Sequence, residues 1–331
     1  MKFAVVGAGA IGAYVGASLA RGGADVTLIA RGAHLEAMQR DGVRVESPRG
    51  DFAVRVTATD DVRSVGPVDS VILAVKAHQI TPLLDDLNAL FHDETTVVGM
   101  QNGIPWWYFA DHGGPHDGYQ LRCVDPDGRI ARAIDHSRVI GCVLYSSTEI
   151  VRPGVIRHIE GTRYSLGEPK RGPSARVQQL SDAFVAGGLK APVEDDIRTD
   201  IWLKILGNAA LNPISALTRA TIVEIATDDH VQELVLDIMR EAEAVAKALG
   251  IAIPISCEKR LDGARRVGDH KTSMLQDVEA GKAIELEAIV GTVIEIGNLV
   301  GVPTPTTRSV YGLARLLDRS LQKNRPALVV A

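Results

Sequence analysis

The sequence predicts an α/β protein with an N-terminal, Rossmann-type, doubly wound sheet and an all-α C-terminal domain. Three observations predict this class. The chain opens with a short apolar run, a glycine-rich turn and an alanine-rich segment. Strand-like and helix-like runs then alternate as far as about residue 190. Beyond about residue 196 only long helical patterns follow, with no convincing strand.

Hydrophobic periodicity places the elements of both halves. Strands are predicted at 3–6, 25–30, 43–47, 52–57, 70–75, 95–99, 139–146, 154–160 and 163–166. Helices are predicted at 10–21, 33–40, 79–91 and 174–187, and then at 199–211, 228–249, 256–267, 272–280, 283–300 and 305–320. Gly250 and Gly301 stand directly after two of these helices, as stop signals do. For a chain of 331 residues we expect two domains, 1–195 and 196–331.

A phosphate-binding turn is predicted after the first strand. Gly7, Gly9 and Gly12 form the pattern G-x-G-x-x-G between a strand and a helix. The first glycine permits a tight turn, the second lets the backbone approach a pyrophosphate, and the third lets helix and strand pack closely. Free N–H groups at the helix N-terminus then hold the phosphates. The predicted cofactor-binding residues here are Gly7, Ala8, Gly9, Ala10, Ile11 and Gly12.

The residue after the second strand indicates which dinucleotide binds. An NAD enzyme usually carries Asp or Glu there, which accepts from the ribose 2′-hydroxyl. In this chain the strand at 25–30 is followed by Arg31, and no acid appears before Glu36. A guanidinium pairs with a 2′-phosphate that a carboxylate would repel. We therefore predict NADPH/NADP+ as the cofactor; the alternative is that Arg31 is a solvated surface residue.

Composition excludes several classes of partner. The net charge is −5, 23% of the residues are charged and there is no basic block, which argues against nucleic acid. The uncharged run 3–20 has the length of a secretory or membrane segment, but its four glycines suit neither. Three cysteines without paired or metal-ligand spacing are typical of a reducing compartment. We expect a cytoplasmic protein with no metal and no membrane partner.

The segment 105–138 is unusual in composition. Trp106, Trp107, Tyr108 and Phe109 precede a stretch rich in Gly, Pro, His and Asp. A long loop or lid is predicted, and an insertion packed on the surface is the alternative.

A polar stripe marks one predicted helix of the second half. Lys204, Asn208 and Asn212 are each four residues apart, so they project to one side of the helix. Nearly all their neighbours are apolar, which predicts a buried helix. Buried amides and ammonium groups require partners, either other protein groups or a ligand.

Two strand ends of the first half also carry polar residues. Lys76 follows the strand at 70–75, and Asn102 follows the strand at 95–99. Ligands bind at the carboxyl ends of strands in such sheets. We therefore place Lys76 near the cofactor or a substrate carboxylate and Asn102 near the ribose or nicotinamide. An exposed, non-functional lysine is the alternative for Lys76.

These features together resemble the ketopantoate reductase (2-dehydropantoate 2-reductase) family over nearly the whole chain. The specific part of the resemblance is Trp202-x-Lys204-x-x-x-Asn208-x-x-x-Asn212-Pro213 combined with Ser273-Met-Leu-Gln-Asp277. The other matching segments are Gly7–Gly12, Arg31, Val75-Lys76, Gln101-Asn102-Gly103, Glu285–Gly291 and Gly301–Pro305.

The resemblance implies NADPH-dependent reduction of 2-dehydropantoate to (R)-pantoate, a step toward pantothenate and coenzyme A. It implies that Lys204 is catalytic, that Lys204, Asn208, Asn212 and Ser273 bind the substrate, and that Lys76, Asn102 and Glu285 bind the cofactor. Glu285 has a second possible role, which is to orient Lys204. Two positions depart from the pattern of some members, because His270 and Ile222 replace asparagines. The exact 2-oxo acid is therefore left open.

The chemistry of ketone reduction fits these residues. Negative charge develops on the carbonyl oxygen, where a lysine ammonium stabilises it and donates a proton. We expect the site to lie in a cleft between the two domains. The alternatives are reduction of another branched 2-oxo acid and a non-catalytic NADPH-binding sensor. The sequence does not determine the oligomeric state, for which a homodimer is one option.

Overall fold

The structure is a computed structural model, and it describes residues 1–323. The strands are β1 Lys2–Val6, β2 Asp25–Ile29, β3 Val43–Glu46, β4 Phe52–Val54, β5 Thr57–Thr59, β6 Ser70–Leu73, β7 Thr96–Gly99, β8 Val139–Arg152 and β9 Val155–Gly167. The helices are α1 Ala10–Arg21, α2 Gly32–Asp41, α3 Leu84–Leu87, α4 Arg129–Ala133, α5 Ala175–Ala186, α6 Ile197–Thr218, α7 Ile222–Thr227, α8 Val231–Ala248, α9 Cys257–Val267, α10 Ser273–Glu279, α11 Thr292–Val300 and α12 Pro305–Lys323.

All nine strands form one mixed sheet in the order β4-β3-β9-β8-β7-β6-β1-β2-β5. The six strands from β5 to β8 in that order are parallel, with β1 between β2 and β6. The long β8–β9 hairpin is antiparallel, and β3 pairs with β9 in parallel. The predicted doubly wound sheet is therefore confirmed. Within residues 1–323 no strand follows β9, which confirms the helical second half.

Helix α1 is surrounded by the sheet. It contacts β1 and β2, and it also contacts β3, β8 and β9 from the other end of the strand order. Eight consecutive residues, from Gly12 to Leu19, are consequently buried. At Gly16 a Cβ would collide with the Leu28 side chain on β2. The long uncharged run is thus explained by burial within a folded domain, since no face of this helix meets water along its middle.

Three glycines lie side by side on neighbouring strands, and the aromatic residues 106–107 pack against two of them. Gly99, Gly141 and Gly167 are paired neighbours on β7, β8 and β9. The six-membered ring of Trp106 lies over Gly99, and that of Trp107 over Gly141. Trp106, Trp107, Tyr108 and Phe109 are all at most 6% exposed. The prediction of a lid is therefore wrong for these aromatic residues, because they pack on bare backbone in the core.

Several element predictions differ from the structure. The strand predicted at 52–57 is two strands, β4 and β5, which lie at opposite edges of the sheet. The helix predicted at 79–91 is broken into 3₁₀ turns around the four-residue α3, with Pro82 in the turn Thr81–Leu83. The strands predicted at 154–160 and 163–166 are one strand, β9, whose register shifts near Gly161 at a β-bulge. Helix α6 runs through Pro213 to Thr218, although proline removes one helical hydrogen bond.

The chain divides into two compact units. The first consists of residues 1–101, 105–120 and 125–197, and the second of residues 102–104, 121–124 and 198 onward. The second unit contains nearly all of α6 and the helices α7 to α12. The short helix α7 was not predicted, although the capping box formed by Thr221 and Glu224 marks its start. None of the helices in the described part of the chain is long and apolar enough to cross a bilayer.

Candidate active site

The glycine turn of the first unit is built for close backbone approach. Gly7 has φ +92°, and a Cβ there would lie 2.5 Å from a methyl carbon of Val75. At Gly12 a Cβ would collide with the carbonyl oxygen of Gly7. At Gly9, by contrast, a Cβ would meet open space. The turn therefore needs its first and third glycines for packing and leaves the second accessible from outside.

Helix α1 begins at this turn without a side-chain cap. Gly9 is the N-cap, and no side chain within residues 1–323 caps the first N–H groups of the helix. The N–H groups in the first turn of a helix lack helical partners and attract anions. An uncapped N-terminus beside an open glycine fits a pyrophosphate, which supplies both the charge and the acceptors that these donors lack.

Arg31 lies two residues after β2 and is the N-cap of α2. Its side chain is exposed, and it makes no hydrogen bond or ion pair with another residue of 1–323. Lys76 stands after β6, half-buried, with its backbone N–H donating to Gln79 Oε1 at 3.1 Å. Both cations thus follow strand ends of the parallel part of the sheet.

Gln101 connects the ends of two neighbouring strands. Its Nε2 donates to the carbonyl oxygens of Leu73 at 2.7 Å and Val75 at 2.9 Å. From the sequence alone we predicted no role for Gln101 itself. Its position directly before Asn102 and after a buried strand was the available signal, because an amide there can bond the free carbonyls of the adjacent strand end.

Three of the predicted site residues meet in the second unit. Lys204 Nζ, on α6, donates to Asn102 Oδ1 at 2.8 Å. Asn102 Nδ2 donates in turn to Glu285 Oε2 at 3.3 Å. The amide orientation follows from the chemistry of its neighbours, because an ammonium only donates and a carboxylate only accepts. Asn102 thus links the lysine to the acid.

The position of Asn102 is held by its neighbours in sequence. Gly103 has φ +98°, and a Cβ there would collide with the carbonyl oxygen of Ala288. That carbonyl also accepts from Ile104 N at 2.8 Å. Ala288 belongs to a π-helical turn, Glu287–Gly291, a distortion that is frequent at functional sites. The segment 102–104 is therefore fixed to this turn, which fixes the amide beside Lys204.

Of the three acids Glu285, Glu287 and Glu295, Glu285 accepts the hydrogen bond from Asn102. The other two bind different partners. Glu287 accepts from the Tyr311 hydroxyl at 2.8 and 3.0 Å. Burial, followed by the Glu287 carboxylate, raises the pKa of Tyr311 to about 12. Glu295 accepts from the backbone N–H groups of Arg122 and Cys123, both at 2.8 Å. These contacts assign Glu287 and Glu295 to the support of the second unit.

The other two members of the polar stripe are amides on α6. Asn212 is 5% exposed, and Asn208 is half-buried. Among the described residues no hydrogen bond uses either side-chain amide. Burial of an amide without a partner costs about 1–3 kcal/mol, so the two groups are suited to a polar ligand.

Ser273 is the first residue of α10, and it is exposed. The helix is capped by Thr272, whose hydroxyl accepts from Leu275 N at 3.2 Å. The two positions that depart from the family pattern are neighbours, because Ile222 N donates to the His270 carbonyl at 2.9 Å. The backbone therefore joins the start of α7 to the segment before Ser273, whatever side chains stand there.

A substitution at Gly103 tests the fixation of Asn102. Gly103→Ala forces a Cβ against the Ala288 carbonyl and imposes strain of about 1–3 kcal/mol at a positive φ. We expect kcat to fall by about tenfold because the Lys204–Asn102 contact is displaced. Gly301→Ala is the matched control, since Gly301 also has a positive φ of 72° but meets no atom within 4 Å. Equal turnover in the two variants would show that Gly103 does not position Asn102.

A glycine turn on a doubly wound sheet, together with a lysine–amide–carboxylate network, defines a nucleotide-dependent oxidoreductase. Comparison with known proteins agrees. The family described as "Ketopantoate reductase PanE/ApbA" matches residues 3–171, and its C-terminal counterpart, "Ketopantoate reductase PanE/ApbA C terminal", matches residues 196–318. The chain therefore belongs to the ketopantoate reductase family, which confirms the family and the enzyme class predicted from the sequence.

Individual relatives cover almost the entire chain. The 2-dehydropantoate 2-reductase of Mesorhizobium japonicum is 48% identical over 96% of this chain and 98% of its own. A Ralstonia solanacearum MolK2 protein described as a ketopantoate reductase has a crystal structure that is similar with a TM-score of 0.91, 41% identity and coverage of 96% and 98%. The dimeric ketopantoate reductase of Staphylococcus aureus shares the fold, with a TM-score of 0.73, 21% identity and coverage of 97% and 100%.

Proposed function

We propose that this protein reduces 2-dehydropantoate to (R)-pantoate with NADPH, a step toward pantothenate and coenzyme A. The observation that carries the proposal is the contact of Lys204 Nζ with Asn102 Oδ1 at 2.8 Å, with Glu285 bonded to the same amide. The 48% identity to a 2-dehydropantoate 2-reductase supports the choice of substrate.

The proposed cofactor residues fit a phosphorylated dinucleotide. The turn Gly7–Gly12 would hold the pyrophosphate on uncapped N–H groups, and Arg31 would pair with the 2′-phosphate. Lys76, Asn102 and Glu285 complete the proposed set. NADPH, when bound, supplies the hydride. We assign residues 1–195 as the NADP-binding domain and residues 196–331 as the helical substrate and catalytic domain.

The protein's own residues supply the rest of the chemistry. Lys204 places an ammonium at the ketone oxygen, stabilises the charge that develops there and donates a proton. Asn102 accepts from the same ammonium and so sets its direction, while Glu285 orients the amide. Asn208 and Asn212 offer donors and acceptors to the hydroxyl and carboxylate of the substrate, and Ser273 offers a hydroxyl.

A coupled assay tests the function. Purified protein is supplied with NADPH, and its oxidation is followed with 2-dehydropantoate beside a panel of branched 2-oxo acids. We expect the highest kcat/KM with 2-dehydropantoate. A clear preference for another 2-oxo acid would establish the alternative substrate. That alternative is tested because His270 and Ile222 stand where some family members have asparagines. NADPH binding without oxidation by any of them would establish a sensor.

Variants of the polar stripe separate substrate binding from cofactor binding. Asn208→Ala and Asn212→Ala each remove an amide that the fold leaves for a ligand, so we expect KM for the 2-oxo acid to rise by about tenfold. NADPH affinity, measured by fluorescence titration, should change little. Asn298→Ala, at an exposed asparagine on α11, is the control. Selective loss of NADPH binding in either stripe variant would contradict the assignment.

For the assembly state we propose a homodimer, supported by the dimeric Staphylococcus aureus enzyme of the same fold. Sedimentation velocity tests this proposal. A single species at the monomer mass of 35.4 kDa would overturn it.

A further inference from the structure

Arg260, on α9, lies against α6 at Gly207. A Cβ added at Gly207 would lie 2.5 Å from Nη2, 2.8 Å from Nε and 2.9 Å from Cζ of Arg260. Real Cβ atoms essentially never approach other atoms below 3.0 Å, so the guanidinium occupies space that any side chain at position 207 would need. The function proposed above uses neither residue.

The guanidinium lies beside the polar stripe. Gly207 is three residues after Lys204 and directly before Asn208. Three residues advance an α-helix by about 4.5 Å and bring it within about 60° of a full turn. Gly207 therefore lies about 60° around α6 from Lys204 and one turn farther along, on the flank away from Asn208 and Asn212. Because glycine has no side chain, the space on this flank is filled by the guanidinium of Arg260.

The proposed substrate contacts include one cation, Lys204, whereas the reacting 2-oxo acid has two negative centres. A 2-oxo acid carries its carboxylate directly on the ketone carbon, so two negative centres lie side by side when charge develops on the ketone oxygen. Lys204 is assigned to the ketone oxygen. Asn208, Asn212 and Ser273 are neutral. A guanidinium matches a carboxylate with two parallel hydrogen bonds and keeps its charge at any relevant pH.

We propose that Arg260 binds the carboxylate of the 2-oxo acid and that Gly207 is required because it gives the guanidinium its place. The proposal rests on the proposed function and names the residue that makes the enzyme select acids. Arg260 is half-buried, so its charge is screened less than that of a surface arginine. Lys204 and Gly207 are about one helical turn apart. The ketone oxygen of a small 2-oxo acid can therefore lie at Lys204 while its carboxylate lies at Arg260 beside Gly207.

A pair of substrates that are similar in shape but differ in charge tests the proposal. Arg260→Met keeps the length of the side chain and removes its charge; Arg266→Met, at an exposed arginine of the same helix, is the control. The two substrates are 2-dehydropantoate and 2-dehydropantoamide, in which a neutral amide replaces the carboxylate. For Arg260→Met we expect kcat/KM for the acid to fall by about tenfold or more, as for loss of charge-assisted hydrogen bonds. The value for the amide should change by less than about twofold, and NADPH affinity should be unchanged.

A second variant moves the guanidinium without removing it. In Gly207→Ala the new Cβ displaces Arg260, while alanine favours the helix more than glycine does. We expect the same selective loss for the acid, and no further loss in the double variant with Arg260→Met. This variant decides the question if Arg260→Met does not fold, as judged by its melting temperature.

The outcomes separate this inference from the function on which it rests. An equal loss for acid and amide, or no loss in either variant, would overturn the role of Arg260 while the reductase activity stands. If the wild-type protein reduces no 2-oxo acid at all, the proposed function fails and the role of Arg260 is refuted with it.

Discussion

Lys204→Ala is expected to lower kcat by at least about 100-fold, because general acid catalysis contributes about 10²–10⁴-fold. The substitution removes the group that we propose as the proton donor and as the positive charge at the developing oxyanion. It also leaves Asn102 Oδ1 without the ammonium that lies 2.8 Å away. The measurement is kcat at saturating NADPH and substrate, with the melting temperature and the NADPH affinity determined on the same sample.

Two further variants make this result specific. Lys204→Arg should restore little activity, because the guanidinium retains its proton and has a different shape. Lys247→Ala, at an exposed lysine near the end of α8, controls for the loss of a positive charge in the same unit. A folded Lys204→Ala protein that keeps more than about a tenth of wild-type turnover would be incompatible with a general acid at this position.

The parts of the fold that were predictable are those with a repeating pattern. The strand–turn–helix at 2–21 was found because its glycines have fixed spacing and its strand is an apolar run. The curl of the sheet was not predictable from the sequence alone. Contact of α1 with both β2 and β9 depends on pairing between strands more than a hundred residues apart, and local periodicity carries no information about such pairing.

The errors have local physical causes. At 79–91 the apolar spacing is helical, yet Pro82 interrupts the backbone hydrogen bonds and leaves 3₁₀ turns. The strand prediction was interrupted between residues 160 and 163, whereas a β-bulge near Gly161 keeps these residues within β9. The four aromatic residues at 106–109 were predicted as a lid because the sequence does not show what they pack against. Gly99 and Gly141 are far apart in sequence and become neighbours only when β7 and β8 pair.

In the candidate site, too, local spacing was predictable from the sequence and long-range contacts were not. Lys204, Asn208 and Asn212 could be grouped from the sequence, because helical spacing alone places them on one face. The direct bond between Lys204 and Asn102 spans 102 residues and had no sequence signal. Arg260 was missed for a related reason, since its importance depends on the glycine that it contacts on α6.

The preference for NADPH is expected to depend on Arg31. This residue is exposed two residues after β2, at the N-cap of α2, where an acid would bind the ribose 2′-hydroxyl of NADH. If Arg31 pairs with the 2′-phosphate as proposed, Arg31→Ala removes about 1.5–3 kcal/mol of charge-assisted bonding, so KM for NADPH should rise by about one to two orders of magnitude. KM for NADH should change little, because NADH lacks that phosphate.

A reversal of charge makes the test sharper. In Arg31→Asp a carboxylate replaces the guanidinium, so NADPH should be repelled and NADH should gain an acceptor for its 2′-hydroxyl. Arg152→Asp, at an exposed arginine of β8, is the control for the same change in net charge. KM values for both cofactors are compared at fixed ionic strength, because interactions of exposed charges weaken with salt. Equal losses for NADPH and NADH in Arg31→Ala would show that Arg31 does not contact the 2′-phosphate, and the cofactor preference would then have to come from another residue.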